Sequence, residues 1–181
     1  MLSLGDFEKA RSYYLKAINS DPRHAKAHNN YGILLASEGN TDQAIDHFSK
    51  AIRIDPKLAE AYNNLGLTLM GQGRLDEASK NFASAITIKP DYAEAEYNLG
   101  VVMARQGNLE KATEHFSKAI QLDPDHAKAH YNLGISLARV GKLKKAALHF
   151  SRALEIDPGY QEAQTSLRLA RQLIKKSEAK K

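Results

Sequence analysis

The chain has 181 residues, of which 43% are apolar and 26% charged, and its net charge is +5. These proportions fit one folded domain or one repeat array. The absence of cysteine excludes disulfides, thiolate metal sites and a cysteine nucleophile. No run approaches the roughly 18 apolar residues of a membrane span. The first residues contain Asp6 and Glu8 and no basic residue, unlike a signal peptide. We therefore expect a cytoplasmic protein without direct membrane insertion.

The first predicted helix runs from Phe7 to Ser20 and ends shortly before a proline. Proline then returns every 34 residues along the chain, at Pro22, Pro56, Pro90, Pro124 and Pro158. A fixed period of this length is the sequence signature of stacked structural repeats. Numbering each repeat so that this proline is position 32 makes residues 25–58 the first full repeat.

Each full repeat contains two predicted helices. In the first repeat, residues 25–38 have apolar residues at helical spacing, and Gly39 then suits a left-handed C-terminal turn. The second helix carries Ala44 and Phe48 on one face and ends at Asp55, because proline disfavours helix in the residue before it. Every repeat has glycine at positions 8 and 15, alanine at 20 and 27, and phenylalanine at 24. Small residues at positions 8 and 20 let the two helices approach closely, with phenylalanine filling the space above.

The two ends of the chain differ from these repeats. Near the C-terminus, Arg168 and Arg171 occupy positions 8 and 11 of a further first helix, where a following helix would pack. Terminal repeats need a polar outer face. We therefore predict three parts and about ten helices. Residues 1–22 hold the second helix of an incomplete repeat, residues 23–158 hold four full repeats, and residues 159–181 form a capping helix with a basic tail.

The N-terminal helix has only Met1 to Leu4 in the place of its own first helix. We expect its apolar face to be partly uncovered, with the residues Ala10, Tyr13, Tyr14 and Ile18. A contiguous exposed apolar surface marks an interface or a truncation. This end should therefore be covered in the functional state by an upstream repeat or by another copy packing end to end.

The residues that recur in the four full repeats resemble the pattern of the tetratricopeptide repeat family. That pattern has small residues at positions 8 and 20, an aromatic at 24, alanine at 27 and proline at 32. The resemblance covers nearly the whole chain. It implies an all-α fold, a right-handed superhelical solenoid of 34-residue antiparallel helix pairs. Position 4 departs from the family's tryptophan or tyrosine, because it holds His28, Tyr62, Glu96 and His130.

The resemblance places the first helices on the concave face of the superhelix. Position 6 of each is an asparagine: Asn30, Asn64, Asn98 and Asn132. An asparagine amide can pair with both the N–H and the C=O of a peptide backbone. The column is similar to that in the repeat region of O-linked N-acetylglucosamine transferase, where it carries substrate peptide. Two interpretations stay open: the amides bind an extended peptide, or they bond neighbouring helices and set the repeat spacing.

Three further columns flank the asparagines. Position 9 forms an apolar strip of Ile33, Leu67, Val101 and Ile135. Position 5 holds Asn29, Asn63, Tyr97 and Tyr131, and position 13 holds Arg105 and Arg139 in the last two repeats. Tyrosine and arginine are enriched at interface hot spots. We predict a peptide-binding site made of the position 6 and 9 columns with these two tyrosines and two arginines.

No motif points to catalysis: the sequence lacks a phosphate-binding loop, a zinc-protease helix and a serine nucleophile elbow. His24 with His28, and His126 with His130, have a spacing that metals use, but no third ligand accompanies them. We predict no catalytic residue, metal or cofactor. The family's clamp for acidic chaperone C-termini is excluded, because position 5 is never lysine.

We predict a non-enzymatic scaffold that binds an extended segment of a protein or peptide partner in its concave groove. The alternative is a non-catalytic repeat module of a larger glycosyltransferase or membrane-anchored assembly. Residues 159–181 carry six basic and two acidic residues, but a solvated helix end explains this charge, and we do not expect nucleic-acid binding.

Overall fold

In the computed structural model, residues 4–179 are described, with side chains from residue 8 onward. Between them lie ten α-helices and no strand. Their bounds are α1 Leu4–Ser20, α2 Ala25–Ser37, α3 Thr41–Ile54, α4 Ala59–Gly71, α5 Leu75–Ile88, α6 Ala93–Arg105, α7 Leu109–Leu122, α8 Ala127–Arg139, α9 Leu143–Ile156 and α10 Gln161–Glu178. The predicted all-α repeat fold is confirmed.

The chain divides into two compact units, Met1–Pro90 with α1–α5 and Asp91–Lys181 with α6–α10. The predicted boundaries at residues 22 and 158 stay a prediction. Of the expected first-helix remnant Met1 to Leu4, only Leu4 is described, as the first residue of α1. Met1 to Ser3, and the predicted tail residues Lys180 and Lys181, lie outside the described residues.

Each repeat is a pair of helices joined by a tight turn, and the pairs are α2–α3, α4–α5, α6–α7 and α8–α9. Gly39 follows α2 with φ of +82°, in the left-handed region that favours glycine. The Asn40 N–H then donates to the Leu35 carbonyl at 2.9 Å, which satisfies one of the last carbonyls of the helix. The predicted left-handed turn is confirmed, and Gly73, Gly107 and Gly141 repeat it with φ between +77° and +81°.

The closest approach within each pair lies between the position 8 glycine and the position 24 phenylalanine. A Cβ added to Gly32 would stand 2.7 Å from Phe48 Cε1, and one added to Gly134 would stand 2.5 Å from Phe150 Cε1. The four phenylalanines are at most 1% exposed. In the second unit, this packing continues into α10 through Leu167. The position 8 and 24 columns therefore fix how near the two helices lie.

The two ends of the described chain expose more of their helices. In α1, Ala10, Tyr14 and Ala17 are only half-buried and Tyr13 is 71% exposed, whereas the corresponding core residues of α3 are at most 1% exposed. The predicted partial exposure of this face is present. At the other end, the arginines of α10 are exposed. None of the helices in residues 4–179 combines the length and apolar character needed to cross a membrane.

The substitution Gly66→Ala tests the helix approach. Its added Cβ would stand 2.7 Å from Phe82, so overpacking should lower the free energy of unfolding by about 1–3 kcal/mol. Gly71→Ala in the same helix is the matched control, because a Cβ there meets no atom within 4 Å. Alanine has the higher helix propensity, so this control should be neutral or stabilising. Urea denaturation measures both, and equal stability of the two variants would contradict the packing account.

Candidate functional site

The candidate residues all lie on first helices. The first unit contributes Asn30 and Ile33 from α2 with Asn64 and Leu67 from α4. The second unit contributes the remaining eight from α6 and α8: Tyr97, Asn98, Val101, Arg105, Tyr131, Asn132, Ile135 and Arg139. The position 8 glycine faces the second helix of the pair. Position 5, three residues earlier, lies on the same side of the helix, whereas positions 6 and 9 are directed away from that contact.

In the first unit, three asparagine amides form a chain of hydrogen bonds. Asn64 Nδ2 donates to Asn29 Oδ1 at 2.9 Å, which joins α4 to α2. Asn29 Nδ2 in turn donates to Asn30 Oδ1 at 3.2 Å. Asn29 is buried, Asn64 half-buried and Asn30 exposed. The chain therefore runs from the junction between repeats to the solvent-facing surface of α2.

In the second unit, a tyrosine takes the place of the buried asparagine. Asn132 Nδ2 donates to the Tyr97 hydroxyl at 3.1 Å and joins α8 to α6. The Tyr97 ring lies 4.7 Å from the His126 ring and 5.9 Å from that of Phe116, measured between centroids. Burial raises the pKa of Tyr97, so its hydroxyl keeps its proton at neutral pH. The hydroxyl can therefore accept from Asn132 and still donate to another group.

Tyr131 occupies the same position in the next repeat and packs in the same manner. Its ring centroid lies 4.9 Å from that of Tyr160 and 5.8 Å from that of Phe150. Burial raises the pKa of Tyr160 to about 12. Position 6 of α10 is Ser166, so no asparagine stands where Asn132 meets Tyr97. The stacked pair of rings thus recurs without the amide bond.

Asn64 and Asn132 make the neighbouring-helix bonds that the structural interpretation of the column expects. Each keeps a second amide N–H and an Oδ1 acceptor beyond the bond described. Asn98 is buried, at 2% exposure, and so it offers far less to a ligand than the exposed Asn30. Peptide binding by the column stays a prediction, with Asn30, Asn64 and Asn132 as its more accessible members.

The apolar strip is exposed on several first helices. Ile33 is 46% exposed and Leu67 36%, whereas Val101 and Ile135 are half-buried against the core of the second unit. Leu169 of α10 stands at position 9 as well, and it is 55% exposed. Sequence reasoning treated α10 only as a cap and missed Leu169, although counting position 9 one repeat further would have found it.

Both position 13 arginines, Arg105 and Arg139, are exposed on the second unit. Nearby charge comes from Glu94 at position 2 of α6, whose Oε2 lies 3.4 Å from His126 Nε2. This contact with His126 lowers the pKa of Glu94. This part of the surface therefore presents both signs of charge beside the stacked tyrosines.

Two of the histidines that have metal-ligand spacing make capping contacts. His24 Nδ1 accepts the Ala27 N–H at 3.3 Å, and His126 Nδ1 accepts the Ala129 N–H at 3.2 Å, so each caps the helix that follows it. Across residues 8–179, whose side chains are described, no three side chains of the metal-binding types cluster together. Helix capping is the contact that the structure shows for the histidines at position 34.

Family models match most of this repeat array. A tetratricopeptide repeat model matches residues 57–123 and 91–158, a second matches residues 13–46, and a TPR repeat model matches residues 32–73. The chain belongs to the tetratricopeptide repeat family. Proteins of this family are generally non-catalytic scaffolds that bind protein or peptide partners. A comparison with curated proteins returned no match.

Solved structures of tetratricopeptide repeat proteins share the fold. MamA from Desulfovibrio magneticus RS-1 is 28% identical, with a TM-score of 0.74 over 86% of this chain and 88% of that one. YrrB, described as a TPR protein with an unusual peptide-binding site, is 26% identical, with a TM-score of 0.74 over 91% of this chain and 85% of that one. PilF of Pseudomonas aeruginosa has a TM-score of 0.77 at 22% identity over 98% of this chain and 91% of that one, which indicates the fold alone.

The Asn132–Tyr97 bond predicts a measurable coupling in this tetratricopeptide repeat protein. Tyr97→Phe keeps the stacked ring but removes the acceptor, and should lower the free energy of unfolding by about 0.5–1.5 kcal/mol. In an Asn132→Ala background the same change should cost almost nothing, because the bond is already lost. Tyr131→Phe is the matched control and should be close to neutral. A denaturation series on the four-variant cycle measures this, and additive effects would contradict the bond's role.

Proposed function

We propose that this interaction scaffold binds an extended peptide segment on the face formed by its first helices. The observation that carries the proposal is the exposed apolar strip at position 9, above all Ile33, Leu67 and Leu169. The exposed surface of a helix normally carries polar residues. An apolar residue recurring at one position beside amide groups therefore suits a partner that brings both apolar side chains and backbone polar groups.

The asparagine amides can form hydrogen bonds with the backbone of a peptide, and these bonds depend little on the sequence of that peptide. Each net hydrogen bond is worth about 0.5–1.5 kcal/mol, and association costs at least about 4 kcal/mol in lost freedom. Three accessible amides therefore leave little net binding free energy, and the apolar strip must supply much of the affinity. Within the second unit, the tyrosines and arginines add to the surface that a peptide bound there would contact. We expect affinities on the order of micromolar or weaker.

The likeness to YrrB supports this proposal, since that protein is described as having a peptide-binding site. We also propose that the chain has no catalytic activity of its own, because its titratable clusters serve packing and capping. The alternative, a repeat module of a larger glycosyltransferase or membrane-anchored assembly, stays a prediction. A transferase or secretion gene fused or adjacent to the coding sequence would favour it.

The face of α1 supports a further contact by the same scaffold. The half-buried Tyr14 stands where α3 has a fully buried phenylalanine, and Tyr13 is largely exposed. We propose that a second copy or an adjoining repeat covers this face. Sedimentation and hydrogen exchange test the idea together: rapid exchange of residues 8–20 in a monomer, or slow exchange in a dimer, is expected. Slow exchange in a strict monomer would overturn it.

The apolar strip can be tested without disturbing the core. Peptides are first selected from a random 12-residue display library on the wild-type chain, and their affinities are then measured by fluorescence anisotropy. The double variant Ile33→Ser/Leu67→Ser should weaken binding about tenfold, because two partly desolvated apolar contacts together give roughly 1.4 kcal/mol. Its thermal midpoint should fall by only a few degrees, because Ile33 is 46% and Leu67 36% exposed and neither belongs to the buried core.

Leu148→Ser is the matched control for this test. Leu148 is 70% exposed, but it lies on the second helix α9 outside the strip, so its loss should leave peptide affinity unchanged. Asn64→Ala probes the amide column in the same assay. If the strip variant binds as well as the wild type, or if Leu148→Ser weakens binding equally, the first-helix face is not the peptide site.

A further inference from the structure

Position 4 of the first helix meets position 23 of the second helix in three of the repeats. In the first repeat, His28 Nδ1 lies 3.0 Å from His47 Nδ1. In the last full repeat, His130 Nδ1 lies 3.2 Å from His149 Nδ1. One imidazole therefore bonds directly to another across the helix pair, at the same place in each unit.

A backbone carbonyl decides which ring donates. His28 Nε2 lies 3.2 Å from the Pro22 carbonyl oxygen, and because a carbonyl can only accept, Nε2 carries the proton. Neutral His28 then has a bare Nδ1, so its partner His47 must be the donor. The second pair obeys the same rule, because His130 Nε2 lies 3.1 Å from the Pro124 carbonyl oxygen.

This arrangement tolerates one added proton but not two. A proton on His47 Nε2 leaves its Nδ1–H donating to His28. A second proton, on His28 Nδ1, sets two N–H groups and two positive charges face to face and removes the hydrogen bond.

The third repeat has a different pair. His115 Nδ1 lies 2.7 Å from Glu96 Oε2, and this carboxylate oxygen can accept a hydrogen bond from His115 whether His115 is protonated or neutral. Lys118 stands 4.0 Å from the other oxygen of Glu96.

The geometry points to two acid-sensitive links, one holding α2 to α3 through His28 and His47, and one holding α8 to α9 through His130 and His149. Each link is intact at neutral pH and is weakened in mild acid, because the folded pair then binds one proton fewer than the same two histidines bind in the unfolded chain. The helix pair α6–α7 is joined by Glu96 and His115 and contains no such histidine pair, so this link is not lost in the same way in acid.

The charges that face the links act in both directions. Around the first pair, Lys50 opposes protonation of His47 and Asp46 favours it, and Arg53 lines the cavity that His28 and Lys50 share. The Tyr31 ring packs edge-on against His47 with centroids 4.7 Å apart. Around the second pair, Arg152 and His126 oppose protonation of His130 and Asp125 favours it. Arg152 is itself paired with Asp125 at 2.9 Å, so their effects largely offset each other.

Burial also opposes protonation within these pairs. Burial lowers the pKa of His47, and the neighbouring His28 lowers it further. Burial likewise lowers the pKa of His130 and that of His149. A base whose pKa is lowered by folding binds fewer protons folded than unfolded, so its stabilising effect is present above the ordinary histidine pKa of about 6.5 and is lost as the pH falls below it. At pH 5.5, one histidine held neutral lowers the folding equilibrium constant about tenfold.

The tautomers are the direct test. Two-bond nitrogen–hydrogen correlation spectra of the histidine rings in the full chain at pH 7.5 should place His28 and His130 in the Nε2–H form and His47 and His149 in the Nδ1–H form. Finding both rings of a pair in the same tautomer would overturn the proposal. This measurement uses the wild-type chain and so does not depend on any variant folding.

The second test replaces one histidine of each pair, so that a protonated His28 or His130 no longer meets a second Nδ1–H donor. In His47→Asn/His149→Asn, the asparagine amide can donate to a neutral histidine or accept from a protonated one, and the chain itself places Asn81 at position 23 of its second repeat. Between pH 7.5 and 5.5, the wild-type folding constant should fall about tenfold for each link, and the double variant should lose most of that fall.

His115→Asn is the matched control, because it removes a histidine at the same position from the pair that has an acceptor in either state. It should leave the acid sensitivity of the wild type in place. If His47→Asn/His149→Asn retains the full pH dependence, or if His115→Asn abolishes it, the paired histidines are not the acid-sensitive links.

Discussion

The approach of each position 8 glycine to the position 24 phenylalanine is the contact on which the other features of the structure depend. With no Cβ on the glycine, the phenylalanine ring lies directly against the helix backbone, and no larger residue could stand there without moving it. This closeness sets the separation and rotation of the two helices in a pair. It therefore determines which residues of the first helix meet its partner and which face outward.

Several polar contacts follow from that geometry. Position 4 is brought to within hydrogen-bond distance of position 23 on the partner helix, as the imidazole pairs and the Glu96–His115 pair illustrate. Position 5 is brought to position 6 of the following first helix, as in the bond from Asn132 to Tyr97. The same backbone thus carries different chemistry in different repeats, since the residues at these positions vary while glycine and phenylalanine do not.

Much of the fold could be predicted from the sequence, because glycine, alanine, phenylalanine and proline recur where the backbone conformation or the close packing of helices requires them. The left-handed turn at Gly39 and the close packing at Gly32 are both of this kind. The candidate site was less predictable. A period reveals columns but not which columns touch, since that depends on side-chain orientation across two helices. The stack of Tyr97 on His126 and the amide chain through Asn29 needed the structure.

The amide chain of the first unit has a direction. Asn64 donates to Asn29, and Asn29 donates to Asn30, so each donated N–H points along the row toward Asn30 and each accepting oxygen points back toward Asn64. Turning one amide around would set oxygen against oxygen or N–H against N–H. Both hydrogen bonds are therefore kept only if all three amides reverse together. If Asn30 alone turned its amide around, it would therefore lose its bond to Asn29, and that bond could be restored only if Asn29 and Asn64 turned as well.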